Sequence, residues 1–378
     1  MKFTIEAKEL LRVLNILSKN IDKKSTLPIL TTAFLEKRED GFYMTGSTLE
    51  SSLTLRVDLS EIVGDLIPMC LQVTQLQSIV STLGDQKIIV EVDEENGNVT
   101  YHYMNGKFEL PYLKADDYPT FPKIASTPTI AFDLDCSLLL ENLMSASVCA
   151  GLHDELHPVM SGIFLDIVPE GVTFVGTNGH RLYKNDYMPG VPFASVGTEA
   201  KLLFPGCFVS PFAAAFKGKD IVHIEADDAR LRIYTDDVSF SLRMIDGRYP
   251  NYNSVIPKEQ SYSVKVKVKE LKTVLSRVSL FSSESECISL EFNGEKVLLR
   301  GVDLDFSQSA SESLPCTDSN LPEGFEIGVK GSTLSSLLSL IGTDNAVFNF
   351  DASSRPIIIN EDANDSSLVL LQMSMLSK

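Results

Sequence analysis

Residues 262–278 read YSVKVKVKELKTVLSRV. The first half alternates apolar and polar residues, as a β-strand with one buried face does. The second half places Leu271, Val274, Leu275 and Val278 at positions i, i+3, i+4 and i+7, so they share one face of a helix. The stretch therefore predicts a strand that runs directly into an amphipathic helix.

This strand–helix pattern, which we call the repeat, occurs six times. The copies begin at Phe3, Pro68, Ile130, Lys201, Tyr262 and Phe325, at intervals of 65, 62, 71, 61 and 63 residues. In the other five copies the apolar helix positions are Leu10, Val13, Leu14 and Leu17; Leu76, Ile79, Val80 and Leu83; Leu140, Leu143 and Met144; Phe212, Ala215 and Phe216; and Leu334, Leu337, Leu338 and Ile341. Near-constant spacing indicates a duplicated architecture.

The chain length of 378 residues suits two or three domains. The repeat favours three, each containing two copies. Segments with the proline and turn-residue content of interdomain connections lie around Tyr118-Pro119 and Tyr249-Pro250, 131 residues apart. We therefore expect an α+β fold of three similar domains, at 1–124, 125–254 and 255–378.

The net charge of −18 would ordinarily argue against nucleic acid, because phosphate binding requires clustered Lys and Arg. The charge is unevenly distributed, however. The six repeats, taken as 3–24, 68–87, 130–150, 201–219, 262–281 and 325–342, hold 15 Lys and Arg against 9 Asp and Glu, a net of +6, so the rest of the chain carries −24. This split favours helices that face a polyanion. The alternative is ordinary solvated helix faces.

Catalytic motifs are weak. The run His153–His157 has two histidines four apart, but a metalloprotease needs Glu directly after the first His and here Glu155 is two places on. The run Thr177–Leu182 could supply His180 and Arg181 as an acid and an anion clamp, or could be a tight turn. The sequence contains no phosphate loop and no Gly-x-Ser-x-Gly elbow.

The six cysteines are expected to be reduced core residues, because none lies in a Cys-x-x-Cys spacing and most have apolar neighbours. They are Cys70, Cys136, Cys149, Cys207, Cys287 and Cys316. We expect no metal and no other cofactor. The sequence also has no apolar run long enough for a bilayer and no leader-like start, so we expect a soluble, cytoplasmic protein.

Five motifs together resemble the beta subunit of bacterial DNA polymerase III, the sliding clamp. They are Met1–Ile5, Thr26–Leu30, Gly46–Glu50, Thr177–Leu182 and Ile245–Tyr252, and the resemblance runs from end to end of the chain. It implies three domains of one DNA-clamp fold per chain and two chains closed head to tail into a homodimeric ring. The helices would line the hole and the sheets would form the outside.

The resemblance implies a non-catalytic processivity factor for DNA replication. It would encircle double-stranded DNA without sequence specificity. Short clamp-binding peptides would tether the DNA polymerase III catalytic subunit, the clamp loader and repair proteins, and no membrane is involved. The peptide pocket would lie between the second and third domains, with a wall made of Met160, Thr177, Gly179, His180, Arg181, Leu182, Pro250, Val255, Leu370, Leu371, Met373 and Met375.

DNA contacts are implied at Lys24 and at the loop around His153, and the basic helix faces add Arg12, Lys19, Lys267 and Lys272. The implied ring contact sets Lys107, Phe108 and Leu110 of the first domain against Leu280 and Phe281 of the third. The alternative for these apolar residues is core packing within each domain. Two other classes of function stay open: a hydrolase using His180 and Arg181, and an acidic interaction scaffold that never encircles DNA.

Overall fold

The structure is a computed structural model, and it describes residues 1–124, 126–151, 156–190, 193–194, 196–197 and 199–376. The chain divides into two compact units. The first comprises Met1–Leu140, Ala194–Thr198 and Cys207–Met244, and the second comprises Glu141–Phe193, Glu199–Gly206 and Ile245–Lys378. Within the described residues, no helix combines the length and apolar character needed to span a bilayer.

The elements are mostly short strands. In chain order they are β1 Lys2–Glu6, α1 Ala7–Leu17, β2 Thr32–Arg38, β3 Gly41–Ser47, β4 Ser51–Val57, β5 Ser60–Val63, β6 Met69–Gln72, α2 Val73–Val80, β7 Lys87–Asp93, β8 Asn98–Tyr103, β9 Gly106–Pro111, β10 Leu113–Lys114, β11 Ile130–Asp135, α3 Cys136–Cys149, β12 Gly162–Val168, β13 Gly171–Thr177 and β14 Arg181–Tyr187. They continue with β15 Ala200–Pro205, α4 Val209–Phe216, β16 Ile221–Ala226, β17 Arg230–Tyr234, β18 Val238–Arg243, β19 Tyr262–Lys267, α5 Val268–Val278, β20 Cys287–Asn293, β21 Lys296–Asp303, β22 Gln308–Thr317, β23 Phe325–Lys330, α6 Gly331–Leu338, β24 Asn345–Phe350, β25 Ile357–Glu361 and β26 Val369–Gln372.

The six predicted repeats are confirmed. The pairs β1–α1, β6–α2, β11–α3, β15–α4, β19–α5 and β23–α6 are each a strand followed at once, or after one 3-10 turn, by a helix. Helix α5 buries Leu271, Val274, Leu275 and Val278, the four residues of the predicted stripe. Each fully buried Leu or Val contributes about 1.5–3 kcal/mol, so this stripe holds the helix to its sheet.

Helices α1 and α5 begin without a side-chain cap, whereas in α3 Asp135 Oδ1 accepts from the Leu138 amide at 2.9 Å. In all three helices the first helical N–H donates to a backbone carbonyl elsewhere in the same domain. The amide of Ala7 donates to the Gln86 carbonyl at 2.8 Å, and Val268 donates to Asp344 at 2.9 Å. In the middle of the chain, Cys136 donates to the Asp220 carbonyl at 2.8 Å. The same contact recurs three times and ties the two repeats of each domain together.

Antiparallel strand pairs build the sheets. The first compact unit holds a five-stranded sheet, β5-β1-β7-β8-β9, and a nine-stranded sheet, β10-β6-β2-β3-β4-β18-β17-β16-β11. The second holds a twelve-stranded sheet, β15-β12-β13-β14-β26-β25-β24-β19-β22-β21-β20-β23. Two pairings join strands that lie far apart in sequence. They are β4 with β18, where Leu53 faces Phe240, and β14 with β26, where Tyr183 faces Leu370.

The cysteines are unpaired, and Cys70, Cys136, Cys149 and Cys316 are buried, as predicted for core residues; Cys207 is exposed and Cys287 is half-buried. Burial raises the pKa of Cys70 to about 11 and that of Cys149 to about 12. Within the described part of the chain, no three His, Cys, Asp or Glu side chains are grouped to hold a metal ion.

We expect a thiol reagent at pH 8 to modify Cys207 first and Cys287 more slowly in the native protein, because the reagent must reach the sulfur, and Cys207 is exposed while Cys287 is half-buried. The other four thiols should react only after unfolding in guanidinium chloride. A Cys207→Ser variant should lose the fast phase in a colorimetric thiol assay. Rapid modification of three or more thiols would contradict the buried assignment.

Candidate peptide-binding site

The two faces of the sheet at the β14–β26 pairing have different neighbours. On one face, a Cβ added to Gly176 would lie 2.1 Å from the Ala146 carbonyl of α3. On the same face, the Tyr183 hydroxyl donates to Asn142 Oδ1 of α3 at 2.9 Å. We call this the helix face, and the opposite one the outer face, because side chains alternate along a strand.

The outer face carries a cluster of apolar side chains, which we call the outer-face cluster. Its buried members are Phe164, Val175, Leu182, Leu203, Tyr249, Tyr252, Ile358 and Leu371, with Val159, Ile245, Ile256 and Val369 packed against it. Leu182 and Leu371 face each other directly across the β14–β26 pairing. The cluster therefore joins strands of the predicted second and third domains.

The predicted connection around Tyr249-Pro250 lies against this cluster. The Tyr249 ring stacks on Phe164 with centroids 4.8 Å apart and an interplanar angle of 4°. The Tyr252 hydroxyl donates to Asp166 Oδ2 at 3.0 Å. Burial raises the pKa of both tyrosines, so both rings stay neutral. Two aromatic anchors thus fix the connection over the sheet.

The run Thr177–Leu182 forms a tight turn between β13 and β14. The Asn178 side-chain oxygen accepts from the amides of His180 and Arg181 at 3.0 and 3.1 Å. Gly179 has φ +84°, the left-handed conformation that favours glycine. The His180 carbonyl accepts from the Met373 amide at 2.8 Å, while the His180 side chain is exposed. These contacts position the C-terminal segment and assemble no catalytic group.

The residues predicted for the pocket wall fall into three sets. Leu182 and Leu371 belong to the outer-face cluster. Thr177 is buried, Met160, Arg181, Pro250 and Met375 are half-buried, and Gly179, His180, Val255 and Met373 are exposed. Leu370 is different, because it faces Tyr183 across the strand pair and is fully buried on the helix face. Leu370 and Leu371 are consecutive residues of the strand, so their side chains point to opposite faces of the sheet.

The prediction missed most of the outer-face cluster. Phe164, Val175, Leu203, Tyr249, Tyr252 and Ile358 were not among the predicted wall residues. One signal was present, because β13 is apolar or small along its whole length and is buried on both faces. A strand of a sheet with one open face should instead alternate. The sequence of β13 therefore indicated that a second element covers the other face of the sheet, but it did not indicate which segment of the chain that element is.

The predicted DNA contacts of the first compact unit differ in their surroundings. Arg12 forms two 2.8 Å hydrogen bonds to Glu9, which partly neutralise its charge. Lys19 and Lys24 are exposed and make no ion pair with any residue that the structure describes. The prediction for His153 lies outside the described residues.

The predicted DNA contacts of the second compact unit lie at α5. Lys267 forms an ion pair with Glu270 at 3.1 Å, and Lys272 donates to the Ser339 hydroxyl at 2.9 Å. An exposed ion pair such as Lys267–Glu270 is weak, at about 0–1 kcal/mol, and the Lys272 partner is a neutral hydroxyl, so both ammonium groups can exchange their present partners for a DNA phosphate.

The predicted dimer contacts are Lys107, Phe108, Leu110, Leu280 and Phe281. Leu110 is buried, which agrees with the alternative of core packing within the domain. Phe108 is half-buried and stacks on Tyr101 with ring centroids 4.7 Å apart. Leu280 and Phe281 are 78% and 38% exposed. These two adjacent side chains therefore form a small exposed apolar patch on one short turn.

Comparison with known proteins places the whole chain in one family. Three domain models of the DNA polymerase III beta subunit match: the N-terminal domain at residues 1–122, the central domain at 136–251 and the C-terminal domain at 253–375. The beta sliding clamp of Bacillus subtilis is 26% identical over 98% of both chains, and that of Synechococcus elongatus is 24% identical over 95% of both.

Solved structures share the fold over the full length of both chains. The DNA polymerase III subunit beta of Pseudomonas aeruginosa superposes with a TM-score of 0.90 at 23% identity, and so does the same clamp bound to griselimycin. The beta subunit of Thermotoga maritima gives a TM-score of 0.87 at 23% identity. With all three of its domains matched in order, the chain belongs to the DNA polymerase III beta subunit family, the beta sliding clamps.

Proposed function

We propose that this protein is the processivity clamp of DNA replication, a cytoplasmic homodimer that closes around duplex DNA and performs no catalysis. Its three domains would meet near residues 125 and 255. The proposal rests on one type of strand pairing. The chain forms it at two internal junctions, and a third pair of strand edges that could form it remains without a partner strand in the described residues. A second copy of the chain would complete it.

The two internal pairings follow one rule. At the first junction β4, the third strand after the first helix of the first domain, pairs with β18, the third strand after the second helix of the second domain. At the second junction β14 holds the same place in the second domain, and it pairs with β26, the third strand after the second helix of the third. By the same rule, β22 of the third domain needs the third strand after the second helix of a first domain, and that strand is β9.

Both strands have an open edge within the described residues. Strand β9 ends the five-stranded sheet. Strand β22 pairs with β21 over residues 308–315, and β19 reaches its other edge only at Cys316 and Thr317. Open edges attract other strands. Because β9 and β22 are different surfaces, the contact is head to tail, and such contacts form a ring when the rotation closes.

The internal junctions also fix the register of the proposed contact. Gly46, Gly176 and Gly301 occupy the same place, since a Cβ on each would meet the first helix of its own domain. Their strand partners are Leu53, Tyr183 and Ala310.

On the other strand of each junction, Phe240 faces Leu53 and Leu370 faces Tyr183. Phe108 takes the place of Phe240, because each is two residues past the start of the strand after its hairpin turn. Phe108 should therefore face Ala310 of the second copy, and Lys107 should face Ser311.

We expect a Lys107→Cys/Ser311→Cys variant to form a disulfide-linked dimer on mild oxidation. Directly opposite strand residues have Cα atoms roughly 4.5–5.5 Å apart, within the range a disulfide spans. Non-reducing electrophoresis should show most of the chain at twice 41.6 kDa.

The matched control is Lys107→Cys/Ser313→Cys, which moves one cysteine two residues along the same face of β22. It should cross-link at least several-fold less. Equal cross-linking of both variants would contradict the register. A solution mass of one chain for the wild-type protein would contradict the ring itself.

The outer-face cluster supports the second half of the proposal, a pocket for short partner peptides. Two apolar peptide side chains would each contribute about 1.5–3 kcal/mol on burial against Leu182, Leu371 and their neighbours. With a few hydrogen bonds this gives roughly −8 kcal/mol, a micromolar dissociation constant. Partners bound this weakly would exchange. The exposed Val255 and Met373 extend the wall, and Leu370 is no part of it.

A further inference from the structure

The two junctions inside the chain have the same covering segment. The first junction carries Tyr118-Pro119-Thr120-Phe121 and the second Tyr249-Pro250-Asn251-Tyr252. Tyr118 stacks on Phe34 with centroids 5.0 Å apart, as Tyr249 does on Phe164 at 4.8 Å. A cavity of about 910 Å³ lies between the first covering segment and its sheet. The first junction therefore has the same covering segment as the second and a groove beneath it.

We call the sheet residues beneath each covering segment its floor. The strand register shows which floor residues of the two junctions are equivalent. Thr45 faces Phe34 and Val175 faces Phe164, so Thr45 and Val175 correspond. Two residues further along β3 and β13, Ser47 faces Ser52 and Thr177 faces Leu182. Ser52 therefore corresponds to Leu182.

The correspondence continues across each junction. Ser241 faces Ser52 as Leu371 faces Leu182. On the next strand, Arg232 faces Ser241 as Ile358 faces Leu371. The four apolar floor residues of the second junction are thus replaced by two serines, a threonine and an arginine.

The polar side chains on the floor of the first junction already contact neighbouring side chains of the same sheet. Arg232 Nε donates to the Ser239 hydroxyl at 3.2 Å, and its guanidinium lies 4.2 Å from the centre of the Tyr234 ring. The hydroxyls of Thr45 and Thr54 are hydrogen-bonded at 2.9 Å. An apolar side chain placed here would take water from these polar groups and offer no hydrogen bond in return, which is unfavourable. The floor of the second junction is apolar and at most 2% of each of its four side chains is exposed, so an apolar side chain placed over it would take water from no polar group.

We infer that the floor set, positions 175, 182, 358 and 371, decides which junction binds an apolar partner peptide, and that the first junction is a duplicate groove excluded only by its floor residues. This inference rests on the proposed peptide pocket. It states that the backbone and the covering segment of the first groove already suit the peptide.

The test is to transfer the floor. A full-length Thr45→Val/Ser52→Leu/Arg232→Ile/Ser241→Leu variant is titrated by calorimetry with an N-acetylated hexapeptide whose only apolar residues are one Leu and one Phe, the rest being Ser and Gln. The wild-type protein should bind one peptide per chain and the variant two. The added Tyr118→Ala substitution should remove the second equivalent alone.

The outcomes separate the inference from the proposal on which it rests. Wild-type protein that binds no peptide would overturn the pocket itself. One equivalent on the wild type and one on a variant with native circular dichroism would overturn the inference. If the fourfold variant does not fold, Thr45→Val/Ser52→Leu, which leaves Arg232 in place, should still show a weaker second site. One equivalent on that folded variant would overturn the inference equally.

Discussion

Once loaded onto closed circular duplex DNA, the protein should stay bound through a wash at moderate salt, and a single double-strand cut should release it. Phosphate contacts alone weaken steeply with salt, whereas a closed ring is held by topology. We expect retention on the circle to exceed retention on the linear form by more than tenfold, measured by gel filtration of the DNA-bound fraction.

Two variants separate encirclement from charge attraction. Leu280→Asp/Phe281→Asp places charge on the exposed apolar turn and should give a folded monomer that no circle retains. Lys24→Glu/Lys267→Glu/Lys272→Glu should weaken loading while leaving the dimer intact. An acidic scaffold would be indifferent to the lysine reversals. Equal loss of wild-type protein from circular and linear DNA would contradict encirclement.

Leu182→Ala should weaken binding of a Leu- and Phe-containing peptide by roughly tenfold to a hundredfold, because truncation of this buried side chain leaves a cavity in the apolar floor that would support the peptide. Calorimetry or fluorescence anisotropy would measure this. The free energy of unfolding should also fall, since Leu182 is 1% exposed. Retention of the native melting transition must therefore be checked at the assay temperature.

The matched control is Ser52→Ala, the equivalent position of the first junction, which should leave the affinity unchanged. An equal loss in both variants would contradict a single pocket at the second junction. A double His180→Ala/Arg181→Ala variant distinguishes the hydrolase alternative. We expect no turnover before or after these substitutions, and weaker peptide binding after them, because both side chains belong to the predicted pocket wall.

The repeat was readable because it is local. A strand of period two followed by a helix of period 3.6 needs only some 17 neighbouring residues, such as Tyr262–Val278, to be recognised. The tight turn at Asn178–Arg181 was readable for the same reason, since its hydrogen bonds span three residues. Family motifs then extended these local elements to an expected function.

The helix starts were harder to anticipate. A sequence offers side-chain caps such as Ser, Thr, Asp or Asn, but here the amides of Ala7, Cys136 and Val268 find carbonyls 79, 84 and 76 residues further on. No local pattern encodes such a contact. It exists only after the two halves of a domain have come together.

The sequence by itself determined the threefold duplication, the basic bias of the repeats and the reduced state expected of the buried thiols, because each depends on composition or short-range period. Only the tertiary structure decided that Leu371 and not Leu370 reaches the outer face, and that one junction has an apolar floor while its duplicate is polar. Those properties depend on strand register between distant segments. A shift of one residue reverses every side chain, and no local pattern specifies that register.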